Sequence, residues 1–375
     1  MRVFILTLGT RGDFEPFWAL GRSLRARGHG VTMGTSAFHL QDDPDLDWVC
    51  IGDGTQQDLV ALLRSLASER DLERRNLACG QQWVIPQFES ARAAVAQAAT
   101  GCDYFIGNIK VPLLRGGAIM PGALVSYDPP QTPGRSGTLA GQQHGDALLE
   151  LVAMPRALVD PKHEWDEGFH FTGFWSRPER SLPRPALLQE FLRAGAPPVV
   201  MTMGSMVTFD TVRLSQCFAQ ALEIANLRGV QVAGWSGLRA DSHAMGRMVT
   251  VDEVDYRWLF AQAACVVHHG GVGTVASVME AGVPSVLLPQ VPSQQRWAAI
   301  LSREGVCAGT LDTHVIDPFE LAQLMRKTVD DARLKQRALQ WQARTGEDGG
   351  MAQAVALIEA HAARLAARSA SPRKA

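Results

Sequence analysis

The residues with the clearest chemical potential are His268-His269-Gly270-Gly271-Val272-Gly273-Thr274, directly after the apolar run Ala263-Ala264-Cys265-Val266-Val267. The apolar run reads as a strand, the glycines as a loop, and the residues from about Thr274 as a helix that stops at Gly282 before Pro284. Glycines at 270, 271 and 273 let a ligand approach bare backbone, because no Cβ intervenes. The helix start adds unpaired N–H groups and the positive end of a dipole. That combination binds anions, and His269 could add a donor to a phosphate oxygen. The spacing is not GxGxxG, so a dinucleotide fold gains nothing from it. Taken alone, the stretch is also compatible with a tight turn whose histidines are satisfied by neighbouring backbone.

A second candidate is Asp13 in Gly9-Thr10-Arg11-Gly12-Asp13-Phe14-Glu15-Pro16, just past the apolar run Val3–Leu8. A carboxylate there sits on the carboxyl-end rim where doubly wound sheets bind ligands, and could take a proton from a hydroxyl. It could equally cap the next helix, with Glu15 adding first-turn charge and Pro16 fitting early in it.

The elements that must position these residues alternate as strand and helix. Val3–Leu8 is the continuous apolar pattern of a strand buried on both faces. Phe17, Leu20 and Leu24 then recur at i, i+3, i+7, and the helix closes near Gly28. Residues 30–36, 103–108 and 123–128 read as further strands, with helical sequence such as 89–99 between them. Around 171–188 three prolines and several charges break the periodicity, as a linker does. The alternation restarts at Pro197-Pro198-Val199-Val200-Met201-Thr202-Met203-Gly204-Ser205 and continues through 211–226, 230–235, 265–271 and 285–290. Met351, Val355, Ile358, Ala362 and Leu365 mark a terminal amphipathic helix, followed by a polar tail. This divides the chain into a first α/β domain over 1–175, a linker over 176–195, a second α/β domain over 196–350 and a helix over 351–368.

Composition narrows the function classes. With 375 residues, 46% of them hydrophobic, two cores can be buried. A net charge of −2 and a pI near 6.6 give no polybasic groove for nucleic acid. The six cysteines are scattered without CxxC spacing, which favours a reducing cytoplasm; Cys50 and Cys265 lie in apolar runs where thiols are often buried. No stretch reaches about 18 apolar residues, so no span is expected. The apolar start is short and ends in a charged turn, reading as a first strand instead of a leader. His39, His144, His163 and His170 show no metal-ligand spacing.

As a set, residues 9–31, 201–206, 267–298 and 346–359 resemble the GT-B nucleotide-sugar glycosyltransferases of family 1, above all the bacterial antibiotic and sterol enzymes. The likeness is strongest over 251–298 and weak over 41–173. It implies a GT-B fold of two facing Rossmann-like domains, the first for the acceptor and the second for the donor. It implies inverting transfer of a sugar from UDP or dTDP to a hydroxyl of a small, largely apolar molecule, with no metal and no cofactor beyond the nucleotide sugar. His269 matches the histidine that touches the diphosphate; Gly271, Val272, Gly273 and Thr274 match its cradle. Ser205 matches a phosphate-facing hydroxyl residue, and is alternatively a turn or cap residue. Arg11 is a further phosphate contact or an ordinary turn arginine. Asp13 matches the general base of the antibiotic enzymes. Val251 and Val254 lie where the base is received, although the tryptophan that stacks on uracil in plant members is replaced by Val251; Trp258 reads as core. Ser293-Gln294 stands where many members have Asp-Gln. A serine makes a weaker, neutral bond to a sugar hydroxyl, which turns the expectation from glucose towards a deoxysugar; Ser293 could also cap its helix. Ser277 stands at a ribose-binding position without the usual glutamate. Asp42–Asp47 contains the DxD pattern of a different, metal-dependent glycosyltransferase fold, in an expected loop. Trp83, Phe88, Leu113, Leu114 and Met120 could line an acceptor pocket or simply fill the core. A sterol or lipid acceptor, a sugar-nucleotide epimerase and an inactive nucleotide-sugar-binding partner are the alternatives, and a homodimer is possible.

Overall fold

The computed structural model describes residues 1–40, 43–108, 114–115, 118–127, 129, 147–159, 169–175, 182, 184–208, 210–238 and 246–370. They form two compact units. The first contains Met1–Gln56, Gln81–Arg177 and Gly346–Ala375; the second contains Gln57–Gly80 and Pro178–Thr345.

The first unit carries strands β1 (Arg2–Leu6), β2 (Gly30–Thr35), β3 (Asp47–Cys50) and β4 (Tyr104–Asn108). A short antiparallel pair, β5 (Leu114–Arg115) and β6 (Ala118–Ile119), precedes β7 (Gly122–Ser126), β8 (Leu148–Val152) and β9 (Phe169–Phe171). Leaving out the β5–β6 pair, the strands make one parallel sheet in the order β3-β2-β1-β4-β7-β8-β9. Helix α1 (Arg11–Ala26) lays Phe17, Leu20 and Leu24, all fully buried, on this sheet. The second unit takes in α2 (Gln56–Leu66), apart from its first residue, and α3 (Leu72–Cys79). Helices α4 (Ile85–Ser90) and α5 (Arg92–Thr100) return to the first unit.

In the second unit, α6 (Ala186–Arg193) leads into β10 (Val199–Thr202), α7 (Thr211–Ile224), β11 (Gly229–Val232), β12 (Met248–Val251) and α8 (Tyr256–Phe260). Next come β13 (Cys265–His268), α9 (Val272–Ala281), β14 (Ser285–Leu287), α10 (Pro292–Arg303), β15 (Cys307–Thr310), α11 (Pro318–Asp330) and α12 (Ala332–Arg344). The sheet order is β12-β11-β10-β13-β14-β15, all parallel. In both sheets the strand order reverses beside the first strand, between β1 and β4 and between β10 and β13. Ligands of open α/β sheets bind at the carboxyl ends of such strands. The last helix, α13 (Gly350–Ala370), belongs to the first unit and puts Ala354, Val355 and Ile358 into the core beneath α1.

Three details differ from the sequence reading. Residues 186–193, inside the stretch read as linker, form α6, whose Leu188 and Phe191 are core residues of the second unit. Gln57–Gly80, early in the chain, packs with the second unit because α3 meets α10 there. Cys50 ends an edge strand and is exposed, whereas Cys265 is fully buried. Among the described residues no helix is long and apolar enough to cross a membrane.

Candidate functional site

In the second unit, β13 ends at His268, whose ring is wholly buried and whose Nδ1 accepts from the Gly270 N–H at 3.2 Å. That bond requires Gly270 to turn through φ +91°, a conformation glycine adopts without strain. His269 follows, nine-tenths buried, with its ring between two other glycines. A Cβ at Gly204 would lie 2.9 Å from His269 Cε1, and one at Gly271 would lie 2.3 Å from Nε2. Glycine at 204 and 271 therefore makes room for the imidazole. Gly273 is different: it is exposed, and nothing lies within 4 Å of a Cβ added there. Gly273, more than Gly271, is the open floor of the loop.

Gly271 is the N-cap of α9, and its carbonyl accepts from Val275 N–H. The amides of Val272, Gly273 and Thr274 thus precede the first intrahelical bond and point out of a ten-residue helix. The Thr274 side chain is buried beside them, and the Ser277 hydroxyl is bonded back to Gly273 O at 2.9 Å. His269 Nδ1 is buried and has no hydrogen-bond partner among the described residues. Burial pushes the His269 pKa down to about 4 and that of His268, which also feels its neighbour, down to about 3. At neutral pH both rings are uncharged, and His269 offers a neutral N–H donor beside a row of free amides.

These depressed values predict acid lability. An unfolded histidine titrates near 6.5, so below that pH the unfolded chain binds protons that the folded chain refuses, and stability falls as pH drops. Between pH 7.5 and 5 the two rings together should cost about 4 kcal/mol. Denaturant midpoints at the two pH values check this. His268→Asn keeps an acceptor for the Gly270 amide and should remove roughly half of the loss.

The other residues expected in this unit are placed as follows. Ser205 is half-buried in the turn after β10, next to the glycine against which His269 packs. It caps no helix, since Asp210 caps α7 through the Arg213 amide. Val251 and Val254 are buried among Leu188, Val232 and Leu259, so their side chains belong to the core and offer no stacking face to a base. Trp258 packs against the same core with the Arg184 guanidinium 5.1 Å above its ring. Ser293 is half-buried in the first turn of α10, but Val291 is the N-cap, which overturns the capping reading of Ser293. Gln294 is buried, and its Oε1 accepts from Gln290 N–H at 2.7 Å. Its carbonyl end thus holds the loop after β14.

In the first unit, Asp13 is the third residue of α1. Its Oδ2 accepts from Thr10 N–H at 2.8 Å and from Thr10 Oγ1 at 3.2 Å, closing a capping box. Its Oδ1 accepts from the Tyr127 hydroxyl in a very short bond. Gly9 must lack a side chain, because a Cβ there would lie 2.3 Å from Asp13 Oδ2. His39, read from sequence only as a non-ligand, is buried here: its Nε2 lies 3.1 Å from Gly9 O and its ring stacks on Phe14 at 4.7 Å. Burial pushes its pKa down. Tyr127 as a partner of Asp13 and His39 as a partner of Gly9 were not legible, since neither lies near its partner in sequence. Arg11 is ion-paired with Glu15 one turn along the helix.

Among the acceptor-pocket candidates, two are core residues. Trp83 and Met120 are buried, Phe88 packs against the same core, and Leu113 lies outside the described residues. Leu114 begins β5. In the acidic stretch, Asp42 is outside the described residues, and Asp43 accepts from Trp18 Nε1 at 3.1 Å. His144 and His163 also lie outside them.

Two parallel Rossmann-like sheets of this kind define the GT-B fold. It is shared with the glycosyltransferase SnogD from Streptomyces nogalater, at 20% identity and a TM-score of 0.65 over 96% of this chain and 99% of that one. Residues 3–39 match the model of the glycosyltransferase family 28 N-terminal domain, where the motifs alone pointed to family 1. The chain is 27% identical over 96% of its length to O-mycaminosyltylonolide 6-deoxyallosyltransferase of Streptomyces fradiae, covering 97% of that protein. It is 25% identical over 82% of its length to sterol 3-beta-glucosyltransferase UGT80B1 of Arabidopsis thaliana, but spans only 59% of that longer relative. The homologues of this chain are thus antibiotic and sterol glycosyltransferases.

Proposed function

We propose that the protein is an inverting glycosyltransferase that moves a sugar from a nucleoside diphosphate, UDP or dTDP, to a hydroxyl of a small, largely apolar acceptor. The observation that carries this reading is the loop after β13. Three unspent amides and an open glycine at 273, beside a buried neutral imidazole whose Nδ1 has no partner among the described residues, form an uncharged surface rich in donors. Such a surface suits a diphosphate and the charge that grows on it as the sugar departs.

In this reading the amides of Val272, Gly273 and Thr274 and the His269 ring hold the diphosphate, with Ser205 beside them. Ser293 and Gln294 face the sugar, and the backbone at Val251 and Val254 receives the base. Asp13 removes the acceptor proton, oriented by Thr10 and Tyr127. The relation to a deoxyallosyltransferase and the serine at 293 together favour a deoxysugar donor. The cytoplasm is the proposed compartment.

A melting-temperature panel with UDP, dTDP, GDP and their sugars tests the reading. A ligand bound only by the native state at a hundred times its dissociation constant stabilises by about 2.7 kcal/mol. UDP or dTDP should therefore raise the melting point by several degrees. No shift with any of these nucleotides at millimolar concentration contradicts the proposal.

A further inference from the structure

Arg75, on α3, is only 3% exposed, yet no carboxylate among the described residues pairs with it. Its Nη2 donates to Val207 O at 3.0 Å and lies 3.4 Å from Gln290 Oε1. Val207 belongs to the loop after β10 and Gln290 to the loop after β14. Those strands pair with β13 on either side, Thr202 and Leu287 both facing His268. The guanidinium is therefore held by the two loops that flank the His269 loop at the carboxyl end of the sheet. Two further polar groups on the same two loops are unmatched. Gln290 Nε2 and Thr208 Oγ1 are buried without hydrogen-bond partners among the described residues. Gln290 cannot turn its amide to satisfy Nε2 without losing the Oε1 contact to Arg75.

A buried cation with no counter-charge is costly, and buried donors with no acceptor add to that cost. Burial also pushes the Arg75 pKa below the ordinary arginine value. One ligand chemistry relieves all three groups at once, an oxyanion. We propose that Arg75, with Gln290 and Thr208, is a second phosphate-holding group of the donor site, supplied by Gln57–Gly80 to the second unit. This rests on the nucleotide reading above. It also gives a function to the packing of an early segment with the nucleotide-binding unit. A planar guanidinium grips two phosphate oxygens where the helix amides and a neutral imidazole give only single bonds.

The test is calorimetric titration of UDP, dTDP, inorganic pyrophosphate and uridine into the full chain and into Arg75→Met and Arg75→Lys. Methionine keeps much of the apolar stem and removes the charge. It should weaken the diphosphates and pyrophosphate at least tenfold and leave uridine unchanged, with lysine in between. A folded Arg75→Met variant that binds UDP and dTDP as the wild type does overturns the inference and leaves the nucleotide reading standing. A wild type that binds neither nucleotide overturns both. Should Arg75→Met fail to fold, a crystal of the wild type with UDP or dTDP decides. A guanidinium nitrogen within about 3.2 Å of a phosphate oxygen supports the inference, and one separated from every phosphate oxygen by protein side chains overturns it.

Discussion

Gly273→Val should leave the protein as stable as before while weakening UDP or dTDP binding at least a hundredfold, about 2.7 kcal/mol. The two halves of this expectation come from one observation. Gly273 sits in the first turn of α9 with ordinary backbone angles, and a Cβ there meets nothing within 4 Å. A side chain therefore strains nothing, and replacing glycine in a helix is worth a few tenths of a kcal/mol in its favour. The same side chain would stand in front of the amides of Val272, Gly273 and Thr274, where a diphosphate must approach to within hydrogen-bond distance. Gly271→Ala makes the contrast. Its Cβ would fall 2.3 Å from His269 Nε2, so stability and binding should be lost together. Calorimetry and a melting curve on the two variants separate the cases. If Gly273→Val still binds nucleotide within a few-fold of wild type, the diphosphate does not lie on this loop.

Which parts of this site the sequence disclosed follows from how local the interactions are. The run from Cys265 to Pro284 was readable as strand, loop and helix because each signal, apolar run, glycines and stop, is contained in twenty consecutive residues. The αL glycine at 282 that ends α9 is one of those signals. What remained hidden is contact across the chain. Tyr127 reaches Asp13 over 114 residues, and Arg75 reaches Val207 and Gln290 over 132 and 215. No periodicity encodes such pairs. The division of labour between glycines was hidden too, since Gly271 and Gly273 look alike in sequence and only the position of the His269 ring tells them apart. The linker reading of 176–195 missed α6 over 186–193, because a proline marks the start of a helix, as Pro185 does here, as well as it marks a break.

Asp13→Asn should lower turnover by a factor of roughly a hundred to ten thousand, the range for loss of a positioned general base, with nucleotide affinity unchanged. Asparagine has the shape of aspartate and keeps an oxygen for the Thr10 amide, so the capping box largely survives. Its amide nitrogen can donate to the Tyr127 hydroxyl, which then acts as acceptor. What asparagine cannot do is take a proton. The carboxylate of Asp13 has one oxygen tied to Thr10 and the other shared with Tyr127, leaving a free lone pair on Oδ1 for an incoming hydroxyl. Tyr127→Phe is the informative companion. It removes one tether but leaves the carboxylate, so turnover should fall far less than in Asp13→Asn, by about tenfold if the loss equals one charged hydrogen bond at the low end of its range. The proposed nucleotide site lies in the second unit, where neither change is made, so its dissociation constant serves as the internal control. An Asp13→Asn enzyme that keeps turnover within twofold of wild type, with its melting point lowered, would make Asp13 a helix-capping residue and send the search for the base elsewhere.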